Sequence, residues 1–394
     1  FEGTPIGAEV YRSDNGGQTW KKTNDKEIPI FFTYGYYFAK IYISPYNPDK
    51  VYALGFSSQV STDGGKTWKN MDKANVHADH HALWVNPKRD SHLINGNDGG
   101  VNITYDDGGS WFKANTPAVG QYYAIAVDNA KPYNVYGGLQ DNGTWYSPSV
   151  LGRNSFAGSG LGVSDESTRN VGGGDGMQVQ IDPRDNLTLY YGSQFGNYSR
   201  TNRLTKEGTR RITPRHELGE KPFRFNWQSP ILLSPHNPEI LYFGSNYFHR
   251  SMNKGDTMIT LSPDMTAGGK EGDVPYGTLT TIAESPLRFG LLYTGTDDGH
   301  IHLSKDAGHT WTKINGAPAK KGAAAPMAQG LWVSRVTPSA FVEGRVYASL
   351  NGYRNDDFLP YLYASEDFGT TWKKIGADLP AEPINVVKED PKNA

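Results

Sequence analysis

The chain has 394 residues with a formal net charge of −2, 46 Gly, 24 Pro and no Cys. The missing Cys excludes a disulfide framework and thiol chemistry, and the balanced charge, with no Lys/Arg block, makes nucleic acid and anionic membrane poor expectations for a partner. No apolar run approaches the roughly 18 residues of a membrane-spanning helix, and no signal-peptide pattern opens the chain at Phe1.

Abundant Gly and Pro suit many tight turns, and 24 Tyr, 9 Trp and 16 Phe suit strands and surfaces that stack on sugars or peptides. In chain order, one short pattern keeps returning. SDNGGQTW stands at 13–20, STDGGKTW at 61–68, TYDDGGSW at 104–111, SKDAGHTW at 304–311 and SEDFGTTW at 365–372, with a degenerate SMNKGDTM at 251–258. The shared form is Ser/Thr-x-Asp/Asn-x-Gly-x-Thr/Ser-Trp. A second pattern, a Pro/Asn turn followed by a VY or LY strand, starts at 44, 86, 128, 182, 234, 285, 337 and 390. It fills the long gap between the boxes at 104 and 251 and gives a repeat of roughly 50 residues. Each repeat reads as four short antiparallel strands, with the box turning the chain from the third strand to the fourth. No 3.6-residue periodicity competes with this reading.

Four strands per repeat predict an all-β chain of β-propeller blades. The predicted blades are 1–30 (partial), 31–73, 74–116, 117–176 with an insertion at 147–176, 177–226, 227–277, 278–328, 329–380 and 381–394 (partial). That makes seven complete blades with a partial one at each end, in a seven- or eight-bladed ring or part of a longer two-propeller protein. The cut through mid-blade at both ends favours a piece of a longer protein.

The repeats resemble the Asp-box, or bacterial neuraminidase, repeat over almost the whole chain. DHHALWVNP, NGNDGG, YGGLQDNGTW, FNWQSPILLSPHNP and TGTDDG resemble the sortilin-like and xyloglucanase-like bacterial propellers often labelled glycosyl hydrolases. The resemblance implies that the boxes are folding devices on the outer rim. Asn15, Asp63, Asp106, Asp306 and Asp367 would then brace turns, while Trp20, Trp68, Trp111, Trp311 and Trp372 wedge between sheets.

Ligand chemistry is expected at the other end of the blades, where the fourth-to-first and second-to-third connections meet. Those loops carry Asp79, His80, His81, Asp98, Gln140, Asp141, Asp175, Arg224, Trp227, Asp297, Asp298, Arg354, Asp356 and Asp357. Asp98, Asp141, Asp297 and Asp356 are the carboxylates with which a hydrolase could work. Asp79, His80 and His81 are the weak metal candidates. No cofactor is required, although the acidic loops offer calcium its preferred oxygen ligands. The insertion at 147–176 reads as a lid or docking loop.

Three readings follow. The sortilin-like resemblance implies an exported module, extracellular, surface-bound or periplasmic, that binds protein, peptide or glycan on its loop face. The xyloglucanase-like resemblance implies a glycoside hydrolase with two cleft Asp. The early Arg-Ile-Pro signal of a sialidase is missing, so a sialidase is not expected. The third reading is a structural part of a surface assembly, docked on other parts of the same longer chain or on partner proteins.

Overall fold

The computed structural model describes residues 7–28, 30, 37, 39–114, 120–150, 169–316 and 327–393. Backbone contacts divide the described residues into two compact units, the first within 1–120 and the second within 121–394.

The first unit holds a two-stranded sheet, Tyr11–Arg12 with Lys21–Lys22, and two four-stranded antiparallel blades. Blade 1 runs through Lys40–Ile43, Val51–Leu54, Ser58–Ser61 and Lys69–Asn70. Blade 2 runs through His80–Val85, Leu93–Asn97, Gly100–Thr104 and Phe112–Ala114. Tyr52, Leu54, Met71, Leu83, Leu93 and Trp111 form the core joining these blades.

The second unit holds five more four-stranded blades, all with strands in chain order. Blade 3 is Tyr122–Val127, Asn134–Leu139, Gly143–Pro148 and Arg169–Gly172, and blade 4 is Val179–Ile181, Thr188–Ser193, Asn197–Asn202 and Arg210–Arg211. Blade 5 is Ile231–Leu233, Leu241–Gly244, Phe248–Ser251 and Ile259–Thr260, and blade 6 is Leu279–Glu284, Leu292–Thr296, Ile301–Ser304 and Thr312–Lys313. Blade 7 is Trp332–Pro338, Val346–Gly352, Asp357–Ser365 and Lys373–Lys374, with a 3-10 turn at Tyr353–Asn355. The insertion expected to act as a lid lies outside the described residues over 151–168.

The VY and LY signature marks the packing. Tyr52, Tyr136, Tyr190, Tyr242 and Tyr293 occupy matching places on the second strands, and all are fully buried. Each buried ring contributes about 2 kcal/mol of apolar transfer. Tyr52, Tyr136 and Tyr242 place their hydroxyls on Asp107, Asp128 and Glu284.

The boxes share one hydrogen-bond set. In the copy at 61–68, Ser61 Oγ accepts from Gly65 N at 2.8 Å and donates to Asp63 Oδ1 at 2.8 Å. Asp63 accepts from Thr67 N at 2.9 Å and from Thr67 Oγ1 at 2.6 Å. The same set recurs around Asp106, Asp306 and Asp367, and Asn253 keeps its backbone part in the degenerate copy. Gly65 has φ of 90°, a conformation that side-chain-bearing residues avoid. In an antiparallel meander, this third-to-fourth turn sits at the end of the blade opposite the second-to-third hairpin. The boxes therefore leave the other end of every blade free to vary.

Two expectations change. Trp111 is buried and its indole N–H donates to Met71 O at 2.9 Å, but Trp20 is 62% exposed. The two-stranded sheet beneath Trp20 gives it too little surface to wedge against. Nor do residues 384–393 form a ladder. Instead, Ser334 and Thr337 hydroxyls donate to the carbonyls of Ile384 and Val387 at 2.7 and 2.9 Å, so the segment is held by side chains along the first strand of blade 7.

Candidate functional site

The expected ligand-face residues fall in both units, and each unit is described by itself. In the first unit, the connection into blade 2 carries Asp79, His80 and His81, and the Asn97–Gly100 hairpin carries Asp98. His81 Nε2 sits 2.7 Å from Asp98 Oδ1, with the His81 ring edge-on to Tyr37. His80 is fully buried, 2.9 Å from Asn95 Oδ1 through Nδ1 and 3.2 Å from Asp72 Oδ1 through Nε2. It braces the sheet and does not face a ligand, because strand alternation turns it inward. Among the described residues, the two His rings do not converge with Asp79 at ligand distance.

Asp79 adopts φ of 61°, an unusual conformation for a residue with a side chain, fixed by its N–H donating to Phe56 O at 3.1 Å. Carboxylate oxygens of Asp79 and Asp98 lie within 4.8 Å of each other. Burial, and then the Asp98 charge, push the Asp79 carboxyl above its ordinary value.

In the second unit, three groups of side chains stand at the loop ends. The first surrounds buried Asp175. Its Oδ1 accepts from Asp141 N at 3.0 Å and its Oδ2 from Tyr123 hydroxyl at 3.1 Å; that hydroxyl accepts from Trp227 Nε1 at 3.1 Å. Burial raises the Tyr123 hydroxyl to about 12. Phe195, edge-on to Trp227, is presented from a hairpin at φ of 59°. Gln140 belongs to the same turn as Asp141, and its carbonyl accepts from Asn142 Nδ2 at 2.9 Å.

The second group surrounds Arg224, which donates to Asp264 Oδ2 at 2.7 Å, Thr266 Oγ1 at 3.0 Å and Gly277 O at 3.1 Å. Its guanidinium is spent on tying the 264–277 loop to blade 5. Asp297 accepts from Gly277 N, Thr278 N, Thr278 Oγ1 and Asn226 Nδ2 at 2.7–3.2 Å, and burial is the largest cause of its raised pKa. Asp298 takes the Thr296 hydroxyl and the Ala267 N–H. These two acids hold loops in place.

The third group is the blade 7 hairpin. The guanidinium of exposed Arg354 lies 3.9 Å from the Trp332 ring centroid and 4.5 Å from that of Tyr353. Asp356 sits at φ of 56°, its N–H donating to Tyr353 O. Asp357 accepts from Tyr361 hydroxyl at 2.6 Å and Leu359 N at 3.1 Å, which lowers its carboxyl and lifts the tyrosine to about 12. Phe358 and Leu359, beside this turn, are 53% and 52% exposed.

Of the carboxylates singled out for catalysis, Asp98 and Asp297 are therefore engaged by His81 and by the 277–278 turn. Sequence reasoning missed Tyr123, Phe195 and Asp264. Tyr123 was one of many strand tyrosines, and Asp264 lies in a connection without a box. The one signal that could have found Phe195 is a large ring before Gly196, where turns favour Asn or Asp.

The family model described as BNR/Asp-box repeat matches residues 11–22 and 59–70. The chain is similar to an oligoxyloglucan-reducing end-specific xyloglucanase of Emericella nidulans, 23% identical over 162 residues, covering 39% of this chain and 18% of that protein. It thus spans under a fifth of the curated relative it matches. Among solved structures, it is similar to a xyloglucanase of Xanthomonas campestris (15% identity, TM-score 0.34, 93% of this chain and 64% of that one). It is also similar to YCF48 of Cyanidioschyzon merolae (10% identity, TM-score 0.36, 84% of this chain and 95% of that one). The matched repeats and the recurring four-stranded antiparallel sheets make this an all-β chain of the β-propeller fold class that carries Asp-box repeats.

Proposed function

We propose that the chain is an exported binding module that holds a protein, peptide or glycan at the loop ends of its blades, with the blade 7 hairpin as the principal contact. The observation that carries this reading is the hairpin tip itself. Strands Val346–Gly352 and Asp357–Ser365 outrun their counterparts in blade 6, and the tip presents Tyr353, Phe358 and Leu359 to solvent beside a stacked Arg354. A turn that only closes two strands needs none of those side chains. The test is binding to glycan and peptide arrays by the protein and by Phe358→Ala/Leu359→Ala. Loss of the bound class in the double variant, with an unchanged circular dichroism spectrum, supports the reading, and unchanged binding overturns it.

A second reading, a glycoside hydrolase, rests on Asp79 and Asp98. Two carboxylates this close, one raised by burial and by its neighbour's charge, form the kind of pair that glycoside hydrolysis uses. The matched relative is by name a xyloglucanase. Release of reducing ends from a polysaccharide panel, abolished in both Asp79→Asn and Asp98→Asn, would favour this reading over binding alone. A panel without release rejects it.

A further inference from the structure

The guanidinium of Arg354 lies over two aromatic rings but has no counter-ion among the described residues. Its Cζ is 3.9 Å from the Trp332 centroid and 4.5 Å from that of Tyr353. Such stacking leaves the N–H edge of a guanidinium open for a planar acceptor. Two carboxylates stand within three residues of it, yet neither turns to it. Asp357 is engaged by Tyr361 and Leu359 N, and Asp356 sits at the left-handed corner of the turn. Among the described residues, Arg354 makes no ion pair and no side-chain hydrogen bond. Arg203 shows the contrast: it also stacks on a ring, Tyr146 at 4.9 Å, but its Nε donates to Asn186 O at 2.7 Å and is satisfied internally.

We propose that Arg354 is a recognition site for a carboxylate, supplied by an Asp or Glu side chain within a peptide segment whose neighbouring apolar residue lies on Phe358 and Leu359. This rests on the binding reading above and names the chemistry of its ligand. The exposed apolar pair and the unpaired Arg354 guanidinium on one hairpin fit an acidic residue next to an aliphatic or aromatic one, while the other cation of the group, Lys374, lies over the Tyr361 ring at 4.9 Å. A sugar platform needs an open ring face, and here the guanidinium lies against Trp332. The carboxylate meets the guanidinium edge in the two-pronged geometry that arginine favours over lysine.

The experiment measures fluorescence anisotropy with capped peptides, acetylated and amidated so that only side chains carry charge. Each pairs Asp or Glu with Leu or Phe and is matched by its Asn or Gln isostere. The probes are tested on the protein, Arg354→Gln and Arg354→Lys, with oligouronates as a parallel arm. The expected result is an acid-over-amide preference of about tenfold, cut to within about twofold in Arg354→Gln and only partly kept in Arg354→Lys. Equal binding of acid and amide peptides, or a preference that survives Arg354→Gln, overturns the inference while leaving the binding reading standing. Arg354-dependent binding of oligouronates without peptide binding overturns the peptide assignment. Absence of binding in both arms overturns it as well. Arg354 is exposed, so an unchanged melting temperature in both variants certifies the fold.

Discussion

Asp306 and Asp297 sit at opposite ends of blade 6 in similar local settings. Each accepts from a threonine hydroxyl and from the same threonine's backbone N–H: Thr310 at 2.6 and 2.9 Å, Thr278 at 2.7 and 3.1 Å. Yet Asp306 is pulled down to about 2, with the Thr310 hydroxyl the largest cause, while Asp297 is raised, with burial the largest cause. Water decides the difference. At the box end, solvent carries the charge and the hydrogen bonds add to it. At the loop end, the same bonds only offset part of the desolvation. The box is therefore a cheap brace that can be repeated down the chain, whereas the loop end keeps a costly acid whose surroundings are specific to one position.

The largest break in this comparison is Asp297→Ala. It leaves the buried N–H groups of Gly277 and Thr278 without their acceptor and takes one of three acceptors from the Asn226 amide. A loss of about 3 kcal/mol is expected in urea unfolding, with the 264–277 loop the first to become protease-sensitive. Next comes the box end. Ser304 is buried and its hydroxyl accepts from Gly308 N at 2.9 Å while donating to Asp306 at 2.8 Å. Ser304→Ala should cost about 1.5 kcal/mol by the same assay. A Ser304→Ala loss as large as that of Asp297→Ala would erase the distinction between the two ends.

A third change should move stability the other way. Arg335, on the first strand of blade 7, keeps a buried Nε with no hydrogen-bond partner, and burial lowers its pKa. Among the described residues, it makes no ion pair. Arg335→Met should stabilise the protein by about 1 kcal/mol, because a half-buried guanidinium with an unsatisfied Nε is exchanged for apolar volume. A destabilised Arg335→Met would show that the guanidinium is satisfied in a way the geometry does not reveal.

How much of this was legible in the sequence follows the same division. The boxes were legible because each is a local device: Ser61, Asp63, Gly65 and Thr67 act within a few residues, so their spacing is their structure. The VY and LY strands were legible for the same reason, and their tyrosines fill one recurrent place. The loop ends were legible only as a collection of polar residues. His80 sits beside His81 in sequence, but strand alternation sends one into the sheet and the other to Asp98. Arg224 looked like a free cation until Asp264, forty residues on, came to meet it. Phe195 and Tyr123 enter one group with Trp227 through contacts that cross blades, and no spacing rule encodes those.

The smallest effect is a difference in slope with pH. The box carboxylates of Asp106 and Asp306 are depressed to about 2, below their unfolded value of roughly 4, so the stability they contribute is complete above that value. It is lost as pH falls from about 4 through 2, when the folded state must also take up the protons. Asp297 has the opposite sign. Its folded pKa lies above the unfolded one, so the folded chain binds its proton first, and its contribution improves as pH falls from neutrality toward 4. Asn at 297 keeps an acceptor for the backbone N–H groups but has no proton to gain. Urea midpoints measured every half unit from pH 7 to pH 3 should therefore show the wild type gaining on Asp297→Asn down to about pH 4, after which the two curves fall in parallel as the boxes protonate. Curves parallel throughout would mean that Asp297 is as well solvated as Asp306, and the two ends of the blade would then differ in sequence but not in electrostatics.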